Sequence, residues 1–444
     1  MKKIALVFAI FIGICIVTGV GTSCSKNVFD EDIYDTLIKI KSPVDTVDPN
    51  HTWMLSTRKT LDVNANISVG AQKFLVMTGN PLASMGVSII AQKPVSDNDQ
   101  FSMSISYPSR LSTLFAALVD AEGRYTVTSF KPASSKSVDF SKPISQSQLP
   151  IDEPQLHYYA FCYEEEMPEP GDYDYNDVVM HIALERASEK EMQFHVKVAA
   201  VGSSRNQLAG LIRLPGIAMD DIDSVYTVGG KSFNVNMAGV ELKRQNSFVE
   251  NEDMLGVLLL KGRSGEPIIN LFADAHWAIG EVGTDETTGQ FTRKQYNVSY
   301  GASQTTAELK PREIVFVLRV KDPLKLADLT LEDIDPFVMK LYGNVRREIH
   351  TFPYRAVDAL YENKYVDVQN LPWALMVPYN NFYHPLHGKN IGFRMRNDYT
   401  QDEEILYGAY RMSGHSFGEW SINRNKCLDW YLNDYATQAQ VYIW

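Results

Sequence analysis

Hydrophobic and polar residues alternate at period two in Leu61–Ile67, Phe101–Tyr107, Arg124–Phe130, Met192–Val198 and Ile314–Val320. Successive side chains of a strand point to opposite faces, so this pattern predicts half-buried strands. Val178–Leu184 and Val257–Leu260 are instead continuously apolar, as in strands buried on both faces. Gly, Pro and Asp punctuate the runs, and no strong helical period competes with them. The expected fold is mostly β, with two β-sandwich-like domains at residues 51–150 and 155–444. Pro132–Leu149, rich in Ser and Pro, reads as a linker between them. Trp53 is expected at the edge of the first core. The carboxy-terminal part is dense in aromatics, among them Trp373, Phe393, Tyr407, Tyr410, Trp420, Trp430 and Trp444. A core is the favoured reading of these rings and a glycan- or protein-binding face the alternative. Gly418–Trp420 and Leu428–Tyr431 are expected on short helical or turn segments that close the second domain.

The amino terminus changes the picture. Lys2 and Lys3 precede an apolar run from Ile4 to about Gly21, then Thr22, Ser23 and Cys24. A basic start, an apolar stretch and small residues before a cleavage point make a signal peptide over residues 1–23. Cys24 is then the lipidated first residue of the mature chain, although Gly21 stands where such signals carry an aliphatic residue. An uncleaved membrane anchor is the rival, because the run is nearly long enough to span. Residues 24–50 are polar and aperiodic and read as a flexible tether. The formal charge of -12 becomes -14 once Lys2 and Lys3 are lost. So acidic a chain is a poor partner for nucleic acid, and membrane attachment would come from acyl chains. With Cys15 removed and Cys24 acylated, Cys162 and Cys427 remain, either as a disulfide or as two buried free thiols.

One stretch concentrates oxygen donors. In Gly171-Asp172-Tyr173-Asp174-Tyr175-Asn176-Asp177, acidic and amide side chains follow closely on Glu164, Glu165, Glu166 and Glu169. Like charges at this density call for water or a cation. In an extended chain Asp172, Asp174 and Asn176 would share one side, with Tyr173 and Tyr175 on the other. Hard oxygen ligands, here Asp172, Asp174, Asn176 and Asp177, suit a structural Ca²⁺. An EF-hand is excluded, since its sixth and twelfth positions counted from Asp172 are Asp177 and Ala183 rather than Gly and Glu. A metal-free turn, capped by Asp and Asn side chains, is the alternative.

The same nine residues, Gly171 to Val179, preceded by Tyr159-Ala160-Phe161, resemble the hallmark of the LruC domain-containing family of Gram-negative surface lipoproteins. Arg347-Glu348-Ile349-His350, Leu371-Pro372-Trp373-Ala374, Val377-Pro378, Phe417 to Trp420 and Asp429-Trp430-Tyr431 are similar to later segments of that family, in the same order. The resemblance covers about residues 155–444. Phe161-Cys162-Tyr163-Glu164-Glu165 and Pro385-Leu386-His387 depart from its pattern. It implies a tethered β-rich lipoprotein of the outer membrane or cell surface, and it points to no particular biochemical activity, because none is established for that family.

Two patterns invite a catalytic reading. Asp274-Ala275-His276 places a carboxylate and an imidazole two residues apart, which ordinary polar packing explains as well as a dyad does. Gly414-His415-Ser416-Phe417-Gly418 matches a nucleophile elbow, but no histidine follows Ser416 and no strand–helix alternation precedes it. The expectation is therefore a non-catalytic envelope protein that binds a protein or glycan partner or serves a structural role. A polysaccharide-acting enzyme built on two carboxylates and a surface-appendage subunit are the alternatives.

Overall fold

The computed structural model describes residues 33, 42–44, 46–167, 171–204, 207–230, 258–262, 265–280, 282–284, 287, 291–301, 306–342, 345–351, 365–367, 369–392 and 408–444. The signal peptide, Cys24, most of the tether, Glu169, Phe393 and Tyr407 lie outside the described residues. Among the described residues, no helix is long and apolar enough to cross a membrane.

The first domain is a two-layer β structure. Its strands are β1 (Ser56–Asn64), β2 (Ala71–Met77), β3 (Ser88–Pro94), β4 (Gln100–Pro108), β5 (Leu114–Asp120), β6 (Tyr125–Phe130), β7 (Ser137–Asp139), β8 (Ser145–Gln148) and β9 (Gln155–Leu156). One sheet has the order β4-β1-β7 and the other β8-β6-β5-β2-β3-β9. The alternating residues Leu61 and Val63 of β1 and Met103 and Ile105 of β4 meet Phe74, Leu118 and Phe140 in the core between them. The stretch expected as a linker instead supplies β7 and β8, which pair with β1 and β6. These strands are short, Ser-rich and mostly exposed at sheet edges, so their composition looks like a loop while their backbone completes a ladder.

The chain passes directly from β9 into the second domain. This contains β10 (Tyr159–Tyr163), β11 (Val178–Arg186), β12 (Glu191–Ala200), β13 (Leu208–Arg213), β14 (Ile222–Thr227), β15 (Leu258–Lys261) and β16 (Pro267–Phe272). Two short pairs follow, β17 (Val282–Thr284) with β18 (Phe291–Arg293) and β19 (Gln295–Tyr296) with β20 (Thr306–Ala307). Last come β21 (Arg312–Val320), β22 (Asp335–Tyr342), β23 (Val345–His350) and β24 (Ala374–Val377). The sheets run β14-β21-β12-β11-β10-β24 and β15-β16-β13-β22-β23. Met192, Phe194, Val196 and Val198 point between the sheets, and Phe194 stacks on its register partner Phe316 with centroids 4.6 Å apart. Such a pair adds about 0.5–1.5 kcal/mol to ordinary area burial.

A third layer covers the outer face of the six-stranded sheet. Tyr410, Phe417, Trp420, Trp430 and Tyr431 pack against Ala160, Cys162 and Val179. This explains why β11 is apolar on both faces, and it makes the carboxy-terminal rings a core. Trp53 belongs to this layer rather than to the first domain. It is 2% exposed and stacks on His51, with Trp420 edge-on at 5.2 Å. Val44 joins the same cluster and Ser42 is buried, so the expected tether docks by residue 42. Val44, Trp53 and Leu55, from a segment outside the second domain, pack with the aromatic rings of residues 409–431. Cys162 and Cys427 are both free thiols.

Polar contacts join the domains. Ser104 Oγ donates to Asp328 Oδ1 (2.7 Å), Ser106 Oγ to Glu332 Oε1 (2.8 Å), and Gln92 Nε2 to Glu185 Oε1 (2.7 Å).

Candidate metal centre

The acidic stretch is the connection between β10 and β11, the two central strands nearest the β24 edge. Tyr163 ends β10 and Val178 opens β11, and these two residues are register partners. The connection is therefore pinned at both ends by sheet hydrogen bonds. Its middle is not extended. Tyr173 and Tyr175 have φ of 55° and 52°, the left-handed region that bulky residues avoid. The expected separation of acids from tyrosines is kept by this kinked backbone. Both rings are fully buried in the aromatic layer. Tyr173 OH donates to Asp367 Oδ2 (2.6 Å) and Tyr175 OH to Pro372 O (2.8 Å). Strain of about 1–3 kcal/mol per residue persists only where surrounding packing over-determines it, and here two anchored aromatic rings do so.

The acids converge in two groups. Glu164, Glu166 and Asp177 have carboxylate oxygens within 4.8 Å of one another, and Asp172, Asp174 and His387 Nδ1 or Nε2 form a second such group. Asp172 and Asp174 come together as the sequence predicts, whereas Asp177 is turned to the upstream glutamates. Asn176 bridges two other segments: its Nδ2 donates to Pro385 O (2.9 Å), and its Oδ1 lies so close to Gly202 that a Cβ there would be 1.9 Å away. Only glycine fits at that point. The same holds at Gly171, where a Cβ would sit 2.3 Å from Glu164 Oε2.

Most of these groups are deeply buried. Glu164, Asp174, Asn176 and Asp177 are each at most 6% exposed. Glu164 Oε1 accepts from Tyr175 N–H (2.5 Å), and Asp177 Oδ2 accepts from Glu165 N–H (2.7 Å). Asp174 accepts from Asn176 N–H (3.1 Å) and Gly388 N–H (2.7 Å). Glu165 is neutralised by Lys340, whose Nζ lies 3.1 Å from Oε2. By contrast Glu164 Oε2, Glu166 Oε2 and Asn176 Oδ1 are buried atoms without a hydrogen-bond partner.

Burial pushes Glu164 well above the usual carboxylate range, with Asp172, Asp174 and Glu166 adding repulsion. Burial does the same to Asp174 and Asp177, reinforced chiefly by Asp172 and by Glu166 respectively. Glu166 is also raised, first by burial. Each group holds its charge poorly by itself, and a cation would reverse this. The residues present thus fit a hard cation. Glu164 and Glu166 complete the donor set, and their position directly before the stretch was the sequence signal for them. His387, more than 200 residues downstream, carried no such signal.

The tempting catalytic pairs have structural partners. Asp274 caps the helix Ala275–Ile279 and bonds His276 Nδ1 (2.7 Å) and Arg293 Nε (2.8 Å), while His276 Nε2 meets Ser203 O at 2.6 Å. Asp274 lies below its usual pKa despite burial, because His276 and Arg293 flank it. Ser416 caps the helix Phe417–Ile422: its Oγ accepts from Glu419 N–H (3.1 Å) and donates to Glu419 Oε2 (2.7 Å). That is the geometry of a helix start, not of an elbow. Away from the acidic loop, a shallow polar groove of about 450 Å³ lies on the first domain beside Asp62, Asn64, Gln100 and Asp139.

Residues 190–397 match the model of a domain of unknown function, DUF4842. That match overlaps the stretch carrying the LruC resemblance, includes the 384–391 segment that faces the loop, and begins after Gly171–Val179. No curated protein matches the chain. Among solved structures, the chain is similar to a protein of Bacteroides ovatus described as "a Putative lipoprotein", at 14% identity and a TM-score of 0.49, over 82% of this chain and 99% of that one.

Proposed function

We propose that this chain is a non-catalytic, lipid-anchored protein of the outer membrane, related to the LruC domain-containing lipoproteins, that presents two rigid β domains at the cell surface for binding or structural work. In this reading Cys24 carries the acyl chains. A Ca²⁺ ion held by Asp172 and Asp174 fixes the β10–β11 connection against residues 385–391, completing the second domain. The partner is a protein or glycan of the envelope.

The observation that carries the reading is the commitment of the catalytic-looking groups. Asp274 is held between His276 and Arg293, His276 Nε2 meets Ser203 O, and Ser416 Oγ is engaged with Glu419 at a helix start. Among the described residues, the acidic loop holds a set of oxygens with too few donors, and this is a feature that a structural cation explains. Ca²⁺ here would supply charge neutralisation and would complete the bonding of loop oxygens, with no reaction step attached to it.

Metabolic labelling with a fatty acid tests the anchor. Wild-type chain is expected to take up label and to fractionate with outer membranes, and Cys24→Ser to do neither. Protease added to intact cells is expected to cleave the wild-type chain. An unlabelled wild-type chain, or one recovered in the soluble fraction, would overturn the reading.

A further inference from the structure

We propose that the connection between β10 and β11 holds two divalent cations rather than one: an inner ion on Glu164, Glu166 and Asp177, and an outer ion on Asp172, Asp174 and His387. This rests on the reading above that the loop binds calcium, and it assigns the glutamates that the sequence leaves without a role.

The inner group has the marks of a built site. Glu164 is completely buried at the end of β10 and Asp177 is 6% exposed at the start of β11. Their oxygens, with one from Glu166, lie within 4.8 Å of each other. One oxygen of Glu164 is satisfied by Tyr175 N–H, while its Oε2 and the Oε2 of Glu166 are buried without a hydrogen-bond partner, the Glu166 carboxyl lying beside that of Asp177. Gly171 leaves the space into which Glu164 Oε2 projects, since any side chain there would occupy it. Three carboxylates offer up to six oxygens, the lower end of the coordination that calcium takes.

Charge balance argues for the second ion. The two groups together contain five carboxylates. Lys340 is already engaged by Glu165 and His387 is half-exposed at the outer rim. Counting these five carboxylates alone, one divalent ion leaves a formal charge of about -3 and two leave about -1; Arg347, bonded to Met167 O, adds a positive charge at the same connection. The two ions would also do different work. The inner one ties the end of β10 to the start of β11, and the outer one ties the loop to the Pro385–Asn390 segment. The outer ion, beside a half-exposed imidazole, is open to exchange; the inner one is enclosed.

Equilibrium dialysis of the full chain, extracted in detergent, against ⁴⁵Ca²⁺ counts the ions. Wild type is expected to hold two per chain. Glu166→Gln, at the partly exposed edge of the inner group, is expected to hold one, and so is Asp172→Asn with His387→Ala at the rim. Tryptophan fluorescence confirms that each variant keeps its aromatic layer. Chelator is expected to strip wild type in two phases, the fast phase missing from the rim variant. A single ion in wild type, lost in both variants, would mean one shared site and overturn this inference while leaving the calcium reading standing. A single ion lost only in Glu166→Gln would uphold the inner site and remove the outer. No bound calcium would overturn both, leaving protonated carboxyls as the occupants of the loop. Should Glu166→Gln fail to fold, the rim variant decides: a retained, slowly released ion supports the inner site, and none refutes it.

Discussion

Chelating calcium is expected to lower the unfolding temperature of the second domain, and to lower it more at about pH 7.5 than at about pH 4.5. The carboxylates of each group lie within 4.8 Å of one another. Two ionised groups at that distance repel by about 3.5 kcal/mol at an effective dielectric of about 20. Three such pairs would consume about 10 kcal/mol, the whole stability of an ordinary domain. The cation-free loop must therefore take up protons, as the raised values of Glu164, Asp174 and Asp177 require. A carboxyl whose folded pKa lies above its unfolded value of about 4 contributes stability that is fully present below that pH and is lost as pH rises through the folded value. Calcium replaces those protons, so its benefit grows with pH. At a hundredfold excess over its dissociation constant a native-state ligand adds about 2.7 kcal/mol, which for a domain of this size is a shift of about 5 °C. Scanning calorimetry of the detergent-extracted chain, in calcium and in chelator, measures it. A shift equal at both pH values, or one that persists undiminished when Asp172→Ala and Asp174→Ala are combined with Glu166→Gln, would refute the electrostatic account.

Other perturbations reach different links of the same structure. Trp53→Ala removes a buried ring from the third layer and is expected to cost about 3–5 kcal/mol in denaturant unfolding; a loss under about 1 kcal/mol would show that residues 42–55 do not hold that layer. His157, His181 and His384 are kept neutral by burial, with pKa values of about 4, 3 and 4. A depressed histidine contributes stability that is present above the unfolded value of about 6.5 and is lost as pH falls toward the folded one. His157→Gln should accordingly flatten the acid limb of stability between about pH 6.5 and 4, by about 3 kcal/mol, and an unchanged limb would mean the ring is already protonated in the fold. Ser416→Ala should cost about 1 kcal/mol, as the loss of a helix cap does. Labelling of Ser416 by a fluorophosphonate would instead make it a nucleophile.

Strand positions were legible because period-two alternation reports one buried face directly. Met192–Val198 and Ile314–Val320 became β12 and β21, opposite each other in register. The acidic stretch was legible too, since carboxylates at that density announce themselves in any conformation. Composition misled where backbone pairing outweighed side chains, as in Pro132–Leu149, whose serines sit on edge strands. It misled again at Trp53, because a large ring predicts burial but not against which surface.

The sequence by itself determined that this chain is mostly β and that its acids concentrate between Glu164 and Asp177, and it favoured a core over a binding face for its aromatics. Local chemistry suffices for such statements, because alternation, charge density and ring content act within a few residues. Only the tertiary structure decided how the acids divide. Kinks at Tyr173 and Tyr175, held by rings in a layer built from residues 409–431, turn Asp172 and Asp174 toward His387. Asp177 goes instead to Glu164 and Glu166, because β10 and β11 pair Tyr163 with Val178. Those choices belong to contacts between residues far apart in the chain, whose geometry no local pattern encodes.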